Sequence, residues 1–216
     1  MNRREFSTTA VGILGSAALG FPGLALAQKK PIEGIEYKTL GQAVPTDAPQ
    51  GKIEVVEFFW YSCPHCNAFE PRLEAWAGKA PADVALRRVP VAFREDFLPQ
   101  QRLFYALEAL NRLGDLHAKV FDTIHRERDP LNRDALIFAW ADKQGLDKAK
   151  FQEAYASAAV TNRARRATQL QDAYSVEGVP ALGIVGRYYT DGSLAGTMDR
   201  ALQVTDYLIA EARKSR

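Results

Sequence analysis

A chain of 216 residues, 47% hydrophobic and 25% charged, has the composition of a globular protein that can bury a core. The length suits one domain, or one domain carrying an insertion. A net charge of +2 with no basic run argues against nucleic acid as a partner.

Residues 1–27 stand apart from the fold. Arg3-Arg4-Glu5-Phe6 is a basic start, Ser7 to Leu26 is mildly apolar, and Ala25-Leu26-Ala27 has the small residues of a cleavage site. Ser7, Thr8, Thr9, Ser16, Pro22 and four glycines would make this stretch a poor permanent span. We read a signal peptide removed near Ala27, with an uncleaved membrane anchor as the alternative. The arginine pair resembles a twin-arginine export signal, although an ordinary secretory signal is basic too. Either route delivers a mature chain starting near Gln28 to an oxidising compartment.

Ile35 to Leu40 reads as an edge strand, followed by a loop with Pro45, Pro49 and Gly51. Ile53 to Trp60, β-branched and then aromatic, reads as a buried central strand. Glu57 interrupts it: a buried carboxylate is costly unless paired or protonated, the alternative being a solvated strand edge. The only two cysteines follow, in Cys63-Pro64-His65-Cys66, and Asn67 to Gly78 reads as a helix. Cys-X-X-Cys where a strand turns into a helix is the setting of a thioredoxin-like redox site.

Cys63 falls at the N-cap and Pro64 at the first helical position, where a missing N–H costs little. Free backbone N–H groups and the helix dipole favour a thiolate there, and His65 can add a positive charge. Such a thiolate is the attacking nucleophile and the better leaving group. Cys66, further in, is expected to resolve the mixed disulfide. Two core-filling cysteines, a structural disulfide or a zinc site are the bland readings. A loop this small gains little from a staple, and only His65, His117 and His125 could join the cysteines as metal ligands. His117 and His125 fall about 80° apart on one helix and read as surface residues.

Val84 to Phe93 reads as a second core strand, broken at Arg87-Arg88. From 97 to 174 the pattern changes to amphipathic helices. Leu103, Leu107 and Leu110 share a face before a stop at Gly114, and Asp115 can cap the next helix. Asn132 or Asp134 opens a helix that ends at Gly145, Asp147 opens a short one, and Thr161 or Asn162 opens a last one whose Arg163, Arg165 and Arg166 face water. Val179-Pro180 precedes a strand, Ala181 to Val185, where a proline is unusual unless its bond is special. Asp191-Gly192 then reads as a hairpin turn, and Thr197 or Asp199 as the cap of a closing helix.

Glu57-Phe58-Phe59 followed by Cys63-Pro64-His65-Cys66 resembles the thiol:disulfide interchange proteins of the DsbA type. The resemblance covers most of the mature chain. It implies an α/β, thioredoxin-like fold with a central mixed β-sheet, in parts 28–96 and 175–216, interrupted by a helical subdomain at 97–174. It implies a kink at Pro71, a buried acid at Glu57 that handles the proton of Cys66, and a basic partner near Arg88. A cis Val179-Pro180 bond against the cysteine pair would offer the Val179 backbone to an extended client, with Trp60, Tyr61 or Val179 as exposed apolar contacts. The expected activity is that of a periplasmic, monomeric dithiol oxidase without bound cofactor or metal. Its clients would be exported proteins with free thiols, and a DsbB-like membrane quinone reductase would reoxidise it. An isomerase or reductase of the same fold, or a chaperone-like binding module, are the alternatives.

Overall fold

The computed structural model describes residues 29–215, so the proposed export signal lies outside the described residues. The central strand, β2 (Ile53–Phe59), is buried at every position. After it the chain passes through α1 (Pro64–Ala77) and returns as β3 (Val84–Pro90), parallel to β2 from Ile53↔Val84 to Phe59↔Pro90. A parallel return needs such a crossover.

Two antiparallel strands, β4 (Ala181–Ile184) and β5 (Tyr188–Asp191), add to the other side of β2. The edge strand expected at 35–40 is reduced to β1 (Lys38–Thr39), paired with β5, and the sheet order is β1-β5-β4-β2-β3. The sheet is thus mixed and five-stranded.

Alternation along β2 gives the sheet two faces. Ile53 and Val55 pack with Phe69 and Leu73 of α1 and with Leu208 and Ile209 of the closing helix α8 (Met198–Lys214). Val56 and Phe58 face the helical segment. That segment comprises α2 (Leu98–Ala109), α3 (Leu113–His125), α4 (Asp134–Lys143), α5 (Lys148–Ala156) and α6 (Ala158–Ala173), all between β3 and β4. One continuous core joins β2 to Leu103, Phe121, Trp140, Tyr155 and Ala167 of these helices.

Several boundaries differ from the sequence reading for identifiable reasons. β3 is unbroken at Arg87-Arg88, because both guanidinium groups find carboxylates: Arg87 meets Asp47 at 2.8 Å and Arg88 meets Glu70 at 2.6 Å. α2 stops well before Gly114, since Asn111 takes the left-handed conformation (φ 56°) that ends helices. Gly114 instead lies in the first turn of α3, where Asp115 binds Arg112 rather than capping. Ser157, not Thr161 or Asn162, caps α6 by accepting from the Val160 N–H at 3.2 Å.

The tight β4–β5 connection falls at Val185-Gly186, both with positive φ, rather than at Asp191-Gly192. A Cβ at Gly186 would lie 1.9 Å from the Val44 carbonyl oxygen, so the position also demands glycine on space. Asp191 ends β5 and caps α7 (Gly192–Ala195), accepting from the N–H groups of Ser193 and Leu194. Asp147 and Thr197 cap α5 and α8 as read from the sequence. α1 continues through Pro71.

Candidate active site

Cys63 is the N-cap of α1 and Pro64 its first residue. The Cys63 Sγ accepts from the Cys66 N–H at 3.4 Å, and its thiol donates to the Val179 carbonyl oxygen at 3.4 Å. Both cysteines are free thiols; Cys63 is 7% exposed and Cys66 is sealed at 0%. The Val179-Pro180 bond is cis, and the Val179 carbonyl lies against the thiol from 116 positions further along the chain. His65 and Pro64 are exposed, Val179 half-buried and Pro180 buried.

The Cys63 thiol is acidified from the ordinary 9.0 to about 6. The hydrogen bond from the Cys66 thiol is the largest cause; burial opposes it, and the backbone N–H groups of Cys66 and His65 add to it. The charge of His65 acts in the same direction but contributes least of these. The neighbouring thiol thus outweighs both the helix-start N–H groups and the imidazole that the sequence points to. Cys66 moves the opposite way: burial, then the hydrogen bond it gives Cys63, push its pKa far up.

Glu57 is wholly buried in β2, directly across the ladder from Arg88. Arg88 Nε lies 3.3 Å from Glu57 Oε2, so the pairing read from the sequence is present as proximity. Burial, then the charge of Glu70, raise the Glu57 pKa well above the carboxylate range.

The layer behind the cysteines holds residues that the sequence reading missed. Far from facing water, His117 is buried, with Nδ1 2.7 Å from the Tyr61 hydroxyl and Nε2 3.5 Å from Glu70 Oε1. His125 Nε2 lies 2.8 Å from the Tyr61 carbonyl oxygen. Gln100 Nε2 donates to Ser62 Oγ at 2.6 Å and to the Pro130 carbonyl oxygen at 2.8 Å. Helices α2 and α3 therefore grip both residues that lead into Cys63. Glu70 was legible in principle, one turn after Cys66 on the same helix face. The histidines were not, because nothing local marks their distant partner.

Tyr61 is only 1% exposed, which excludes it as an apolar client contact. The exposed aromatic beside the site is Phe93, at 38%, edge-on to Phe97, which stacks on Trp60 at 4.0 Å. On the other side a groove of about 390 Å³ runs past His65, Val179, Pro180, Gly192 and Met198. Among the described residues no three His, Cys, Asp or Glu side chains form a cluster able to hold a metal.

A strand-to-helix turn with an acidified outer thiol, a sealed inner one and a cis-proline loop on the outer sulfur is a thiol–disulfide exchange site. A family model for the DSBA-like thioredoxin domain matches residues 84–203. The thiol:disulfide interchange protein DsbA of Bordetella pertussis is 44% identical over 209 residues, covering 96% of this chain and 99% of that protein.

The chain belongs to the DsbA family. It is a thiol:disulfide oxidoreductase of the DsbA type with a thioredoxin-like fold. DsbA of Burkholderia cepacia is 36% identical over 214 residues, with 99% of each chain covered. The crystal structure of Pseudomonas aeruginosa DsbA superposes with a TM-score of 0.81 at 39% identity, covering 86% of this chain and 96% of that one. The DsbA family match begins at β3, beyond the cysteines, whereas the full-length relatives span them.

Proposed function

We propose that the chain is an exported dithiol oxidase that donates the Cys63–Cys66 disulfide to thiol-bearing proteins as they fold. A client thiolate attacks Cys63 Sγ; the Cys63–Cys66 bond breaks and its electron pair leaves on Cys66. Cys66 is a poor thiolate, and protonated Glu57 supplies the proton that it needs. A second client thiolate then attacks the client sulfur of the mixed disulfide. Cys63 leaves as a thiolate, the client keeps the new disulfide, and of the two protons its thiols gave up one reprotonates Glu57 and the other goes to solvent. Two electrons have moved from client to enzyme.

The observation that carries this reading is the acidity of Cys63, about 6, beside the Val179 carbonyl. Stabilising the thiolate favours the reduced enzyme and makes its disulfide oxidising. Val179 offers its backbone to an extended client, with Pro180, the groove beyond it and Phe93 as flanking contacts. His65 and Pro64 frame the outer sulfur. Equilibration with glutathione mixtures tests the direction of transfer. The oxidase reading requires a potential well above the about −270 mV of thioredoxin; a value near it would mark a reductase.

Residues 1–27 supply the export signal in this reading, and a DsbB-like quinone reductase in the membrane takes the electrons from the reduced monomer in the periplasm. Arg3-Arg4 changed to lysines would halt export if the twin-arginine route is used, and leave it intact if the ordinary secretory route is used.

A further inference from the structure

Three carboxylates converge on one guanidinium beneath the active-site helix. Glu57 and Arg88 are ladder partners on β2 and β3, so their side chains share a face and stand as neighbours. An acid and a base so placed would ordinarily close into a hydrogen-bonded ion pair; here the charges lie within reach of each other, but no hydrogen bond joins them. Arg88 gives its Nη2 to Glu70 at 2.6 Å and to Glu74, both on α1. Its Nε, 3.3 Å from Glu57 Oε2, is not aligned to hydrogen-bond. Neither oxygen of Glu57 has a hydrogen-bond partner within the protein, though both are sealed from solvent. Glu70 is held in turn from the helical layer by His117 Nε2, 3.5 Å from the same oxygen that binds Arg88.

We propose that Glu70 is a positioning residue for the proton of Glu57: by drawing the Arg88 hydrogen bond toward α1, it leaves Glu57 beside the guanidinium but not hydrogen-bonded to it, and so keeps it a proton donor. The inference rests on the reading of Glu57 given above and extends it to a residue one helix turn past Cys66. An isolated buried carboxylate holds its proton, whereas one hydrogen-bonded to a guanidinium gives it up. Glu70 acts twice in that sense, by occupying Arg88 and by adding its own negative charge. The groups that face Glu57 are Arg88 from β3, Glu70, Glu74 and Cys66 from α1, and Tyr61 beyond the end of β2. Only Arg88 among them favours ionisation of Glu57. Glu74 is largely exposed, so solvent screens its share, while Glu70 is buried and not screened.

The test is the titration of the Glu57 carboxyl carbon in ¹³C-glutamate-labelled full-length protein, assigned by its loss in Glu57→Gln. In Glu70→Gln the Glu57 midpoint should fall by about one pH unit or more. The pH profile of client-dithiol oxidation should move with it, and Glu70→Asp, which keeps the charge, should restore both. Glu54, on the opposite face of β2, serves as the control for general loosening. A Glu57 midpoint unmoved in Glu70→Gln, or a Glu54 midpoint that moves equally, overturns the proposal. A pH profile unchanged in Glu57→Gln would instead overturn the role of Glu57 itself, so the two failures are distinguishable.

Discussion

Two sulfurs three residues apart carry opposite acidities because one is the helix cap and the other is sealed behind it. The Cys63 thiolate draws first on the Cys66 thiol, then on backbone N–H groups, and least on His65. Absorbance of the thiolate should therefore half-titrate near pH 6. Cys66→Ala should raise that midpoint more than His65→Ala, and the reverse order would place the imidazole first. The sign for stability follows. A pKa lowered in the folded state stabilises the reduced protein fully above the ordinary 9.0, and the gain is lost as pH falls through about 6. Glu57 has the opposite sign. Its raised pKa means that the native state keeps a proton which the unfolded chain releases above 4.5, so stability falls as pH rises past that value. Glu57→Gln should stabilise the protein near neutral pH by about 1–3 kcal/mol and change little near pH ~4. Urea unfolding at the two pH values measures it, and equal effects at both would contradict the linkage.

At the scale of elements, α3 holds the turn before the cysteines at two points. His117 takes the Tyr61 side chain and His125 the Tyr61 backbone. Burial keeps the Tyr61 hydroxyl protonated, so it remains a hydrogen-bonding group at any working pH. Tyr61→Phe would strand the buried Nδ1 of His117, and unfolding should become easier by about 1–3 kcal/mol. A change confined to a few tenths of a kcal/mol would show that the contact is incidental. His117 was misread because a histidine on an amphipathic helix looks the same from sequence whether it meets water or a distant tyrosine. Element boundaries went astray in the same way. Gly114 looked like a stop, but Asn111 could adopt positive φ first, and the arginines of β3 looked like a break until their partners on other segments came into view.

Across the whole molecule, the helices at 98–173 are not a separate body. Their apolar faces complete the core that Val56, Phe58 and Phe59 begin. Neither layer can bury its apolar surface alone, which favours one cooperative transition. Trp60 beside the site, Trp76 on α1 and Trp140 on α4 report from different layers. Their fluorescence and the far-ultraviolet circular dichroism should follow a single coincident curve in denaturant. Separate midpoints would show that the helical layer unfolds by itself. No helix among the described residues is long and apolar enough to cross a membrane.

What the sequence settled by itself was local. A β-branched and aromatic run, two cysteines at a helix start with proline between them, and capping residues such as Asp147 and Thr197 act through neighbours a few positions away. Those interactions do not depend on the rest of the chain. The tertiary structure decided whatever required a partner far along it. It set Val179 against Cys63, gave an Arg88 hydrogen bond to Glu70 and none to Glu57, and turned His117 and His125 inward onto Tyr61. The reason is physical: burial and charge pairing depend on distance in space, and only the folded sheet with its helical cover fixes those distances.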